Sequence, residues 1–68
     1  MSLSITLNGE PRTVAPGTSI AALAADIGLN PAKVAVERNL EIVPRSTLAD
    51  VLIAKGDQIE IVHFVGGG

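Results

Sequence analysis

The sequence has 68 residues, 47% of them hydrophobic and 18% charged, which supplies apolar surface for one packed core and too little chain for a second. Seven acidic residues against five scattered basic ones leave a formal charge of -2, the wrong sign and distribution for a nucleic-acid partner. The absence of cysteine removes disulfides, thiolate catalysis and sulfur-held metal, and a single aromatic, Phe64, leaves no platform for stacking a base.

Leu3, Ile5 and Leu7 alternate with Ser4, Thr6 and Asn8, the period-two pattern of a half-buried strand. Asn8-Gly9 is a dipeptide that accepts the positive φ angles of a type I′ hairpin, so Arg12-Thr13-Val14 is expected to return as a second strand. Pro16-Gly17 breaks that hairpin. Thr18 or Ser19 then caps a helix of about three turns carrying Ile20, Leu23, Ala24 and Ile27 on one face, with Gly28 and Asn30-Pro31 as its stop. The longest apolar run, Ile20 to Ala25, falls far short of the roughly 18 residues of a membrane span. The opening MSLSITLNGE lacks the charged and apolar regions of a secretion signal, so a cytoplasmic protein with no membrane partner is expected.

Val34-Ala35-Val36 predicts a third strand, Arg38-Asn39-Leu40 a turn, and Glu41-Ile42-Val43 a fourth strand ended by Pro44. Ser46-Thr47-Leu48 opens a short turn of helix through Val51-Leu52. Lys55-Gly56-Asp57 is a turn, with Asp57 shaping it, and Gln58 to Phe64 is the longest strand, with Ile59 and Ile61 on one face. Two strands, a helix and three further strands predict an α+β fold: a mixed sheet of about five strands with one main helix across a single face. A last strand lying beside the first would run parallel to it. This is the element order of the ubiquitin-like β-grasp fold. The expected division is a β-grasp domain over 1–64 and a flexible glycine tail over 65–68.

Gly66-Gly67-Gly68 follows the last strand without a polar linker. Three residues without Cβ are both the freest and the narrowest chain available, and from Val65 to Gly68 the extended reach is roughly 13 Å. A frayed terminus is one reading of such a segment. The other is a tail that threads a partner's active site, with the Gly68 carboxylate, ionised at neutral pH, attacking an activated phosphate. The resulting acyl adenylate has the leaving group that a free carboxylate lacks. No glycine loop of the phosphate-cradling kind precedes a helix here, so that activation falls to a partner enzyme, and the chain is read as a carrier with no catalytic residue and no bound cofactor of its own.

The stretch Val34-Ala-Val-Glu-Arg-Asn39, the segment Glu41-Ile-Val-Pro-Arg45 and the ending Gly56-Asp57 … Ile59-Glu-Ile-Val-His-Phe-Val-Gly-Gly-Gly68 resemble the ThiS family, the sulfur carriers of thiamin biosynthesis. The resemblance spans nearly the whole chain, and Leu40 departs from it where the turn often has another glycine. It implies that a ThiF-type adenylyltransferase, using ATP and magnesium, adenylates Gly68, that a sulfur-donating enzyme converts it to a thiocarboxylate, and that a thiazole synthase accepts the sulfur. A carrier like the molybdopterin-synthase small subunit, with the same tail chemistry and another acceptor, and a ubiquitin-like protein modifier are the alternatives.

The candidate docking residues are Val62, Phe64 and Val65. Val62 and Phe64 fall on the face of the last strand opposite Ile59 and Ile61, and an exposed apolar pair beside a functional tail suits a partner surface; covering a neighbouring strand is the competing role for Phe64. His63 is read as structural or interfacial rather than a base or metal ligand. Arg38 and Arg45 are read as solvated charges, and Glu37, Glu41 and Glu60 as either an acidic docking surface or a solvated sheet face.

Overall fold

The computed structural model describes residues 1–64. Strands β1 (Leu3–Leu7) and β2 (Glu10–Val14) form the first hairpin, helix α1 (Ile20–Asp26) follows, and strands β3 (Val34–Arg38), β4 (Glu41–Val43) and β5 (Gln58–His63) complete the sheet. The sheet order is β2-β1-β5-β3-β4. β5 therefore lies at the centre, parallel to β1 and antiparallel to β3, as the expected β-grasp requires.

Both hairpins turn on two residues of positive φ, Asn8 and Gly9 in the first and Asn39 and Leu40 in the second. The β1–β5 pairing is short, from Thr6 opposite Gln58 to Leu7 opposite Ile59, because β1 turns away at Asn8. The Asn8 side chain prolongs the ladder in its place: Oδ1 accepts from the Ile61 N–H at 2.8 Å and Nδ2 donates to the Ile61 carbonyl at 3.3 Å.

α1 covers two turns rather than three. Ser19 is the cap, its Oγ accepting from the Ala22 N–H at 3.0 Å, and its own backbone stays extended in a bridge to Leu52. At the other end Gly28, at φ +90°, closes a Schellman motif in which the Gly28 N–H donates to Ala25 and the Leu29 N–H to Ala24. The first helical N–H groups, which have no partner inside a helix, find theirs in the connection to β5: Ile20 donates to the Val51 carbonyl and Ala21 to that of Leu48. The expected helical turn at 46–52 starts as a 3-10 turn over Arg45–Thr47 and runs on as a turn in which the Asp50 and Val51 N–H groups both donate to the Thr47 carbonyl, while the Leu48 and Val51 carbonyls serve α1.

The core lies between α1, this connection and one sheet face. Ile5, Val14, Val34, Val36, Ile59 and Ile61 meet Ile20, Leu23, Ala24, Leu48 and Ile53 there. Each large aliphatic side chain so buried contributes about 1.5–3 kcal/mol. The opposite sheet face is left bare, and Glu37, Ile42, Glu60 and Val62 stand exposed on it.

Candidate functional site

β5 delivers the chain to its C-terminal segment, so the site is built around its last residues. Val62 pairs with Ala35 on the bare face and is 62% exposed. One residue past the strand, the Phe64 N–H donates to the Lys33 carbonyl at 2.8 Å, and the ring remains 44% exposed. Val65, Gly66, Gly67 and Gly68, the other residues expected to dock or to carry the chemistry, lie outside the described residues.

Ile42 also belongs to this surface and was not singled out from the sequence. It is 79% exposed and lies across from Glu37, which in turn faces Glu60 on β5. Alternation along Glu41-Ile42-Val43 carried the signal, since the half-buried Val43 turns the other way. Val62, Ala35 and Ile42 line a shallow depression with Glu37 and Glu60 at its side. Among the described residues the ion pairs are Arg12–Asp26 and Arg38–Asp57, so the facing carboxylates of Glu37 and Glu60 have no cation in salt-bridge range. Like charges directly opposite on a sheet are mutually unfavourable, and a partner cation would relieve them. Glu41, opposite Arg38, sits on the other face.

Two arginines read as solvated are engaged. Arg38 Nε donates to Asp57 Oδ2 at 2.9 Å, and Asp57 is only 5% exposed. Asp57 does more than shape a turn: Oδ2 also accepts the Ala54 N–H at 2.8 Å and Oδ1 the Asn39 amide at 3.1 Å. Burial alone would raise its pKa, but these donors and the Arg38 charge outweigh it and hold the carboxyl below the usual range. Arg45 donates from Nη1 to the Ala32 carbonyl at 3.0 Å, and its guanidinium carbon lies 5.5 Å from the centre of the Phe64 ring. These pairings join residues brought together only by the sheet, which is why local sequence did not show them.

His63 is exposed opposite Val34. Among the described residues there is no group of three or more His, Asp or Glu side chains placed to hold a metal, and no helix is long and apolar enough to cross a membrane.

The ThiS family model matches residues 5–68. The chain belongs to the ThiS family. A structure of the thiamine biosynthesis protein ThiS from Geobacter metallireducens superposes with a TM-score of 0.78 at 32% identity, covering 97% of this chain and all of that one. The sulfur carrier protein ThiS of Bacillus subtilis is 54% identical over 35 residues, about half of each chain. A protein named thiazole synthase from Paramagnetospirillum magneticum is 47% identical over 66 residues; the match takes in 97% of this ThiS-family chain and 20% of that protein's length. The chain thus spans a fifth of that relative.

Proposed function

We propose that this chain is a sulfur carrier in the thiazole branch of thiamin biosynthesis. The observation that carries the reading is the family match across residues 5–68, on a domain whose central strand leads into the glycine segment. The Gly68 carboxylate attacks the α-phosphate of ATP on a ThiF-type adenylyltransferase, giving an acyl adenylate and pyrophosphate. A sulfide equivalent from a sulfur-donating enzyme then displaces AMP and leaves a thiocarboxylate. ATP and magnesium belong to the activating enzyme. A thiazole synthase is the acceptor, and the ThiS-like segment within a protein of that name supports this choice.

Val62, with Ile42 in the same depression, and Phe64, with Val65 following it in sequence, form the docking surface for the activating enzyme. The free carrier acts in the cytoplasm. The test is intact mass of the protein after incubation with a ThiF-type enzyme, ATP, magnesium and a sulfide source. Exchange of one oxygen for sulfur is expected, and a chain lacking Gly68 should show none. No exchange, with an enzyme active on its own carrier, overturns the reading; higher-mass conjugates to lysine in cell extracts would favour a protein modifier.

A further inference from the structure

The root of the glycine segment is held in an unusual way. On the β1 side, β5 loses its neighbouring strand at Asn8, whose side chain takes the N–H and carbonyl of Ile61. Beyond Ile61 the described part of β5 has backbone support on the β3 side alone, and for Phe64 that support is one bond to the Lys33 carbonyl. A strand end tethered on one side is free to pivot about that side.

Arg45 supplies a second tether. Its Nη1 bond to the Ala32 carbonyl fixes the guanidinium beside the residue that precedes Lys33, and the same group lies over the Phe64 ring. Holding a long exposed side chain in one arrangement costs rotamer entropy, so a bond at one end and a ring at the other matter together: each limits the freedom the other needs. A guanidinium suits this because its planar fork donates and stacks at once, which an ammonium does less well.

We propose that Arg45 is a positioning residue for the carrier reaction: by clamping Phe64 against the Ala32–Lys33 segment, it fixes the point from which the activating enzyme receives residues 65–68. This rests on the sulfur-carrier reading above. The clamp presents Phe64 to the activating enzyme in one arrangement and leaves the chemistry at Gly68 unchanged. Its effect therefore falls on the KM for the carrier, by about the two- to five-fold that an exposed cation–π contact is worth.

The experiment is ATP–pyrophosphate exchange catalysed by a ThiF-type enzyme, with the full-length carrier varied as substrate. Arg45→Ala should raise KM two- to five-fold with kcat unchanged, Phe64→Leu should raise it at least as much because it also alters the docking surface, and Phe64→Tyr, which keeps the ring face, should match the parent. The double variant should be no worse than Phe64→Leu, because Arg45 acts only through the ring that this variant has already removed. Amide exchange reads the clamp directly: the Phe64 N–H should exchange faster in both single variants while the Ile61 N–H, bonded to Asn8, does not. A further rise in KM when Arg45→Ala is added to Phe64→Leu would mean that Arg45 acts independently of the Phe64 ring, and an unchanged KM in Arg45→Ala would mean that no clamp operates; either overturns the proposal. If the parent itself supports no exchange with an active enzyme, the sulfur-carrier reading fails and the kinetic role with it, and amide exchange at Phe64 alone then judges the clamp.

Discussion

The Arg38 guanidinium and the Asp57 carboxylate meet at 2.9 Å across the β3–β5 boundary, with the carboxylate almost wholly inside the protein. Asp57 thereby fixes the loop that leads into β5, since the same side chain binds Ala54 and Asn39 while its carbonyl accepts the Thr6 N–H from β1. Removing it leaves the Ala54 N–H and the Arg38 charge without their partner. Breaking a buried pair is strongly destabilising, and partial exposure of Arg38 moderates the loss. Asp57→Ala is expected to lower stability by about 2–4 kcal/mol, a large share of what a domain of this size possesses. Urea denaturation should show a lower midpoint at unchanged slope.

The same carboxylate gives the fold an acid dependence of definite sign. Its folded-state pKa lies below the unfolded one, so as pH falls the unfolded chain takes up the proton first. The stabilisation is complete above the ordinary aspartate value of about 3.9 and is lost as pH drops through the lower, folded value. Stability measured between pH 7 and pH 2 should fall over that acidic window. In Asp57→Asn the dependence should be shallower, and an equally steep curve would assign the acid loss to other carboxylates.

What the sequence revealed and what it hid divide along a physical line. β1 and β5 were legible because a period-two pattern records which face each residue buries, and Gly28 marked the helix stop because a left-handed residue is needed there. The helix ends were legible too, since Ser19 is one of the two caps expected, but the seven residues of α1 make two turns and not three. Arg38 with Asp57 and Arg45 with Phe64 were missed because a charged residue carries no mark of its partner until strand order brings the two together. The exposure of Val62 and Phe64 followed from alternation alone.

Leu40 is the residue whose backbone fits its side chain least. It sits at φ +70° in the turn between β3 and β4 and is 80% exposed, so it bears the left-handed penalty of about 1–2 kcal/mol with little burial in return. Glycine accepts that conformation freely, and asparagine followed by glycine is the preferred type I′ pair. The greater freedom of glycine in the unfolded chain offsets about 0.4–1 kcal/mol of the gain. Leu40→Gly is therefore expected to stabilise the domain by roughly 0.5–1 kcal/mol, seen as a Tm several degrees higher in calorimetry.

The bare sheet face offers a test of docking that is separable from folding. Val62 is exposed, so Val62→Glu removes little core packing, yet it places a third carboxylate beside Glu37 and Glu60 in the middle of the surface proposed to meet the activating enzyme. Burying a new charge against a partner, or facing it with the existing pair, is expected to raise the KM for the carrier at least about ten-fold, the effect of losing a central interface contact. Thr13→Glu supplies the comparison. Thr13 is exposed on β2, at the far edge of the same sheet, so it adds the same charge at a distance and should leave KM near the parent value. A parallel rise in both variants would assign the effect to overall charge, and no rise in Val62→Glu would remove this face from the interface. Only a rise confined to Val62→Glu locates the docking surface at the end of β5, where the chain turns into its glycine segment.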